Sequence, residues 1–115
     1  MVEISLNEKY ELFIETLSQC GEFLLKEKNE DIEYYLFEEF DGNSISFLSK
    51  ELLQTLLISN LIDDEIYKSS LQLAQKFRAL EGTDLWNVNS VKKSKKWKEI
   101  LLLSDKIKML ISTKK

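Results

Sequence analysis

Apolar residues recur along this chain at steps of three and four, the spacing that gathers side chains on one face of an α-helix. In the first stretch, Asn7 to about Lys26, the stripe is Tyr10, Phe13, Ile14, Leu17, Gly21, Leu24 and Leu25. Asn7 is placed to cap its start. Gly21 falls on the stripe, where the missing side chain either permits a close helix crossing or is tolerated at a cost of ~1 kcal/mol relative to alanine. A second stretch runs from about Asn29 to Phe40, with Asn29 as its cap and Glu30, Asp31 and Glu33 in the first turn, where the helix dipole favours carboxylates. Its inner face is Ile32, Tyr35, Leu36 and Phe40, while Tyr34, Phe37, Glu38 and Asp41 project elsewhere. Asp41-Gly42-Asn43-Ser44 then reads as a turn.

The third stretch, about Ser46 to Asn60, buries Leu48, Leu52, Leu53, Leu56 and Leu57. Asn60 ends it, because asparagine tolerates the left-handed conformation, and Leu61 and Ile62 connect onward facing the core. The fourth starts at Asp63 or Asp64 and carries Ile66, Ser70, Leu73, Ala74, Phe77 and Leu80 inward until Gly82 closes it. Thr83 to Ser94 is less regular, anchored by Trp86 and Val88, with a short helical turn near Asn89 to Lys93. Ser94 caps the last helix, whose inner set is Trp97, Ile100, Leu101, Ser104, Ile107, Leu110 and Ile111, before a fraying tail at Ser112 to Lys115. The pattern predicts an all-α fold: one domain over residues 1–115, a compact bundle of about five helices with short connections. Tyr34 to Phe40 and Ile100 to Leu103 are dense enough in apolar residues to suit short strands, but neither has a hairpin signal beside it.

Composition agrees. The chain has 115 residues, 43% of them hydrophobic, with no proline and three glycines, so a real core is available at this length. No apolar run reaches the ~18 residues of a membrane span, and Met1 to Tyr10 lacks the blocks of a signal peptide. A cytoplasmic location without membrane attachment is the expectation. Cys20 is the one cysteine, so no internal disulfide forms, and a small residue near the core edge is its expected role.

Charge changes the picture more. Residues 1–65 hold 16 acids and 4 bases, a net of −12; residues 66–115 hold 4 acids and 12 bases, a net of +8. The acids concentrate at Glu27, Glu30, Asp31, Glu33, Glu38, Glu39 and Asp41, with Tyr34 and Phe37 among them. A solvated helix face accounts for such a run. A docking surface for a basic partner accounts for it too, and also for the rings, with carboxylates speeding encounter and aromatics as anchors. The bases concentrate at Lys92, Lys93, Lys95, Lys96 and Lys98 around Trp97. They lack an arginine fork and wrap the helix axis instead of forming one stripe, so nucleic acid is not the expected partner.

Chemistry is poorly represented. With no histidine, the usual nucleophile–base pairs and histidine metal sites are excluded. Aligned to a calcium loop, Phe37 to Leu48 puts apolar residues where oxygen ligands belong. Glu38/Glu39 point apart on a helix, and Asp63/Asp64 are explained by capping. No cofactor, no metal and no enzymatic activity are expected.

The segments FEEFDGNSISFLSKELLQTLL, NLIDDEIYKSSLQLAQKFRALE and WNVNSVKKSKKWKEILLLSDKI resemble small all-helical bacterial immunity proteins. Those accompany toxins of contact-dependent growth inhibition and related polymorphic systems. The resemblance spans Phe37 to Ile107, in size, polarity and helical layout, without a diagnostic motif. It implies a cytoplasmic inhibitor that binds the C-terminal domain of one cognate toxin, often a nuclease with a basic cleft. The expected contact residues are Glu30, Asp31, Glu33, Tyr34, Phe37, Glu38 and Asp41. A helical adaptor or regulatory subunit with a non-toxin partner is the alternative.

Overall fold

The structure is a computed structural model and describes residues 4–113. Five α-helices of seven or more residues form its frame: α1 (Leu6–Ser18), α3 (Asp41–Phe47), α4 (Lys50–Ile58), α5 (Asp64–Ala79) and α7 (Lys95–Thr113). Shorter pieces join them: a 3-10 turn (Glu22–Lys26), one turn of α2 (Asn29–Ile32), a π-helical segment (Glu33–Phe40) and α6 (Val88–Lys93). No strand occurs among the described residues, and Tyr34 to Phe40 and Ile100 to Leu103 are both helical. The all-α expectation holds. No helix among the described residues is long and apolar enough to cross a membrane. The radius of gyration, 14.0 Å, is close to the ~13 Å of a folded chain of ~100 residues.

Packing follows the apolar stripes. α5 and α7, the two longest helices, lie against each other, α1 packs on α7, α3 and α4, and α6 packs on α7. Phe13, Leu17, Leu24, Leu53, Leu56, Leu73, Leu101 and Ile107 are fully buried, as their spacing predicts. At one end, five rings interlock. Phe77 meets Phe40 at 4.8 Å, Trp86 at 4.9 Å and Trp97 at 5.8 Å, and Phe37 closes on both tryptophans. Trp97 is the buried anchor expected, and its Nε1 donates to the Leu85 carbonyl at 2.6 Å.

Helix ends are set by local chemistry, not always by the expected residue. Ser5 rather than Asn7 caps α1, accepting from the Glu8 amide. Asn29 lies inside α2, and Lys28 before it makes no side-chain cap. Asp63 caps α5 as expected, accepting from the Ile66 amide at 2.8 Å, and the Ser94 hydroxyl accepts from Lys96 at the head of α7. Asn60 has φ 63°, and the Leu61 and Asn60 amides donate back to the Leu56 and Leu57 carbonyls. That pair of bonds is a Schellman stop with asparagine in the left-handed position. Gly82 follows α5 with φ 79°, where a β-carbon is strained. α7 runs through Ser112 to Thr113, so the expected fraying does not begin at Ser112; Lys114 and Lys115 lie outside the described residues.

Two breaks fall where periodicity did not put them. The first stretch stops at Ser18 and resumes as the 3-10 turn. Between them Gly21 lies directly against Asp105 and Lys108 of α7, so the close approach is real, and a β-carbon there displaces both side chains. In return α7 terminates α1. The Cys20 carbonyl accepts from Ser104 Oγ and Lys108 Nζ, both at 2.8 Å, and Asp105 accepts from the Glu22 amide at 3.0 Å. The predicted turn at Asp41-Gly42-Asn43-Ser44 is instead the start of α3. Asp41 keeps helical dihedrals, and the break comes at Leu48, with Ser49 capping α4.

Candidate protein-binding surface

The π-helical segment decides which side chains reach solvent between Glu33 and Phe40. π-helix is rare, usually a single turn, and concentrated at functional sites. Its bonds run from i to i+5, so each turn takes in more residues than an α-turn and the 3.6-residue pattern slips. Ile32, Leu36 and Phe40 are fully buried at steps of four. Tyr35, expected inside, is 37% exposed, and Tyr34 is 50% exposed.

Phe37 goes the other way. It was expected among the outward residues, but it packs edge-on against Trp86 at 5.1 Å and Trp97 at 5.6 Å. It is half-buried and packed against the core, so it does not project freely among the carboxylates. Asp41 also leaves the expected set. Its Oδ1 accepts from Arg78 Nη1 at 2.7 Å, while Arg78 Nη2 donates to the Asp41 carbonyl and to Ser44 Oγ, both at 3.2 Å. Arg78 Nη1 further pairs with Glu81 at 2.8 Å. Asp41 is thus committed to fastening α3 onto α5.

What remains outside is coherent. Phe23 of the 3-10 turn meets Tyr35 edge-on at 5.9 Å, and Tyr35 meets Tyr34 at 5.5 Å, giving a row of three exposed rings. Aromatic pairs of this geometry hold each other in place beyond simple area burial. The Tyr34 hydroxyl hydrogen-bonds to Glu39, five residues on, a partnership the π register makes possible. That bond, with the negative charges of Glu39 and Glu38, holds the Tyr34 phenol above its ordinary pKa. Glu30, Glu33 and Glu38 are exposed and Asp31 and Glu39 half-buried, and none forms an ion pair with another described residue.

The surface therefore combines rigid rings with unneutralised carboxylates. The spacing pointed to Glu30, Asp31, Glu33, Tyr34 and Glu38, and the structure sets these on one stretch of helix. It adds Phe23, Tyr35 and Glu39. No signal in an α-periodic reading finds the exposure of Tyr35, which depends on the wider turn, whereas Glu39 already stands in the acidic run of the sequence. Phe23 was legible only as an apolar residue off the α1 stripe. A separate groove of about 490 Å³, lined by Tyr10, Leu57, Asn60 and Ile111 among others, contains none of these groups. Comparison with protein-family models, with curated proteins and with solved structures returns no match.

Proposed function

We propose that this protein acts by binding, as an immunity protein that neutralises a bacterial toxin domain presenting a basic surface. The observation that carries the reading is the row Phe23, Tyr35 and Tyr34 set beside Glu30, Glu33 and Glu38. Exposed aromatics anchored edge to edge lose little conformational freedom on binding, and such rings dominate interface energies. The carboxylates attract Lys and Arg of the partner and orient the encounter. The contact set becomes Glu30, Asp31, Glu33, Tyr34 and Glu38 with Phe23, Tyr35 and Glu39. The resemblance of Phe37 to Ile107 to small helical immunity proteins supports the toxin as partner.

The test is rescue. Co-expression should restore growth to cells producing the toxin domain encoded by the reading frame directly upstream. Tyr35→Ala should weaken the complex by ~2 kcal/mol, about thirtyfold in Kd. Glu33→Lys with Glu38→Lys should abolish rescue while the circular-dichroism spectrum stays helical. Full rescue by that double charge reversal removes this face from the proposal. The same surface would serve a helical adaptor, which is distinguished by recovering a non-toxin partner from cells that make no toxin.

A further inference from the structure

The corner between α6 and α7 carries five lysines in seven positions, Lys92, Lys93, Lys95, Lys96 and Lys98, all exposed. None has a carboxylate within ion-pair distance among the described residues. Three of them, Lys95, Lys96 and Lys98, stand in or beside the first turn of α7, which contains no acid. α7 is 19 residues long, and the head of such a helix carries partial positive charge that favours carboxylates and opposes ammonium groups. The lysines also repel one another. Lys92 and Lys93 suit the last turn of α6, but neither helix stability nor ion pairing accounts for Lys95, Lys96 and Lys98.

A second observation concerns the neighbour. α2 packs on α6, so the short helix bearing Glu30 and Asp31 adjoins the one ending in Lys92 and Lys93. The acidic-aromatic surface and the lysine corner are thus on adjoining elements, negative beside positive.

We propose that the lysine corner is the second half of the docking surface and receives an acidic segment of the same partner whose basic part meets Glu30 to Glu39. This rests on the binding role proposed above and adds a requirement to it: the partner must present a basic region next to an acidic one, in that order. Two opposite patches side by side are directional. A partner docked in reverse, or a non-cognate toxin with a uniformly basic surface, meets like charge at the corner and is rejected. A nucleic acid fits less well, because a phosphate chain reaching the lysines also meets Glu30 and Asp31.

The probe is the upstream-encoded toxin domain, inactivated and immobilised, with surface plasmon resonance at about 50 and about 300 mM salt. Lys95→Glu/Lys96→Glu should lower the association rate about tenfold at the lower salt and flatten its salt dependence, with dissociation changed by less than about twofold. The same variant should melt higher than wild type without any partner, because its new carboxylates suit the head of α7. An unchanged association rate, alongside lost binding in Tyr35→Ala, overturns the bipolar surface and leaves the binding role standing. Wild-type protein that fails to bind the domain overturns the binding role itself, and this inference with it. A lower melting temperature shows that the lysines serve the fold and overturns the inference. Retention of wild type on short duplex DNA at about 50 mM salt, lost in the variant, overturns it in favour of a nucleic-acid partner.

Discussion

Ser104 of α7 donates its hydroxyl hydrogen to the carbonyl oxygen of Cys20, 2.8 Å away, inside the core. Eighty-four positions separate the two residues, so the last helix supplies the hydrogen bonding that the end of the first helical stretch lacks. The same hydroxyl lies 3.3 Å from the Leu17 carbonyl. Replacing Ser104 by alanine should cost about 1 kcal/mol, and by valine more, because added bulk meets a filled interior. Urea unfolding of both variants checks this; a Ser104→Ala midpoint equal to wild type would show the bond contributes nothing net.

Ser70 is the opposite case. It is fully buried on α5, and its hydroxyl has no hydrogen-bond partner among the described residues. Desolvating an unpaired hydroxyl is unfavourable, and alanine fills nearly the same space without that penalty. Ser70→Ala should therefore stabilise the protein, by ~1 kcal/mol, measured as a rise in melting temperature. Destabilisation would mean that the hydroxyl is satisfied in solution.

The Arg78 guanidinium bonds to the Asp41 carboxylate, the Asp41 carbonyl, the Ser44 hydroxyl and Glu81. A lysine ammonium cannot reproduce this planar fork. Arg78→Lys should lose ~1 kcal/mol, discounted for partial exposure of the pair, and Asp41→Asn should lose a similar amount. In a double-mutant cycle the two losses should be less than additive. Strict additivity would show that the residues act independently.

Cys20 gives a pH dependence. Burial pushes its thiol up to about 12 from an ordinary 9.0, opposed in part by the Lys108 charge and the Ser104 hydroxyl. The folded state holds its proton where the unfolded chain releases it. Stability from this group is complete below pH 9 and is lost as pH rises from 9 toward 12. Unfolding free energy should fall more steeply over that window in wild type than in Cys20→Ala. Parallel curves would contradict it.

The legibility of this fold follows the kind of helix involved. Where the backbone keeps 3.6 residues per turn, as in α5 and α7, apolar spacing alone located the core: Ile66, Leu73 and Phe77, and Trp97, Ile100, Leu101, Ser104 and Ile107 are all buried. The stops at Asn60 and Gly82 were readable because left-handed backbone favours those two residue types. Misreadings cluster between Gly21 and Leu48. Tyr35 was placed inside and Phe37 outside because the turn there is wider than the assumed period. Asp41 looked like a surface acid because its partner Arg78 lies 37 positions away, beyond any local pattern. Most of the proposed contact surface, Glu30, Asp31, Glu33, Tyr34, Glu38 and Glu39, was visible as charge and ring content. Phe23 and Tyr35 join it only through the three-dimensional course of the chain.

The wide turn between Glu33 and Phe40 also makes this stretch sensitive to length in a way that substitution does not reveal. Each residue in a regular helix advances about 100° around the axis, so loss of a single codon here would swing everything on one side of the gap by roughly that amount. The buried ladder Ile32, Leu36 and Phe40 could re-form in ordinary helical geometry. The two tyrosines could not keep their bearing toward Phe23. A lineage could thus lose the exposed row of rings in one in-frame deletion and still fold.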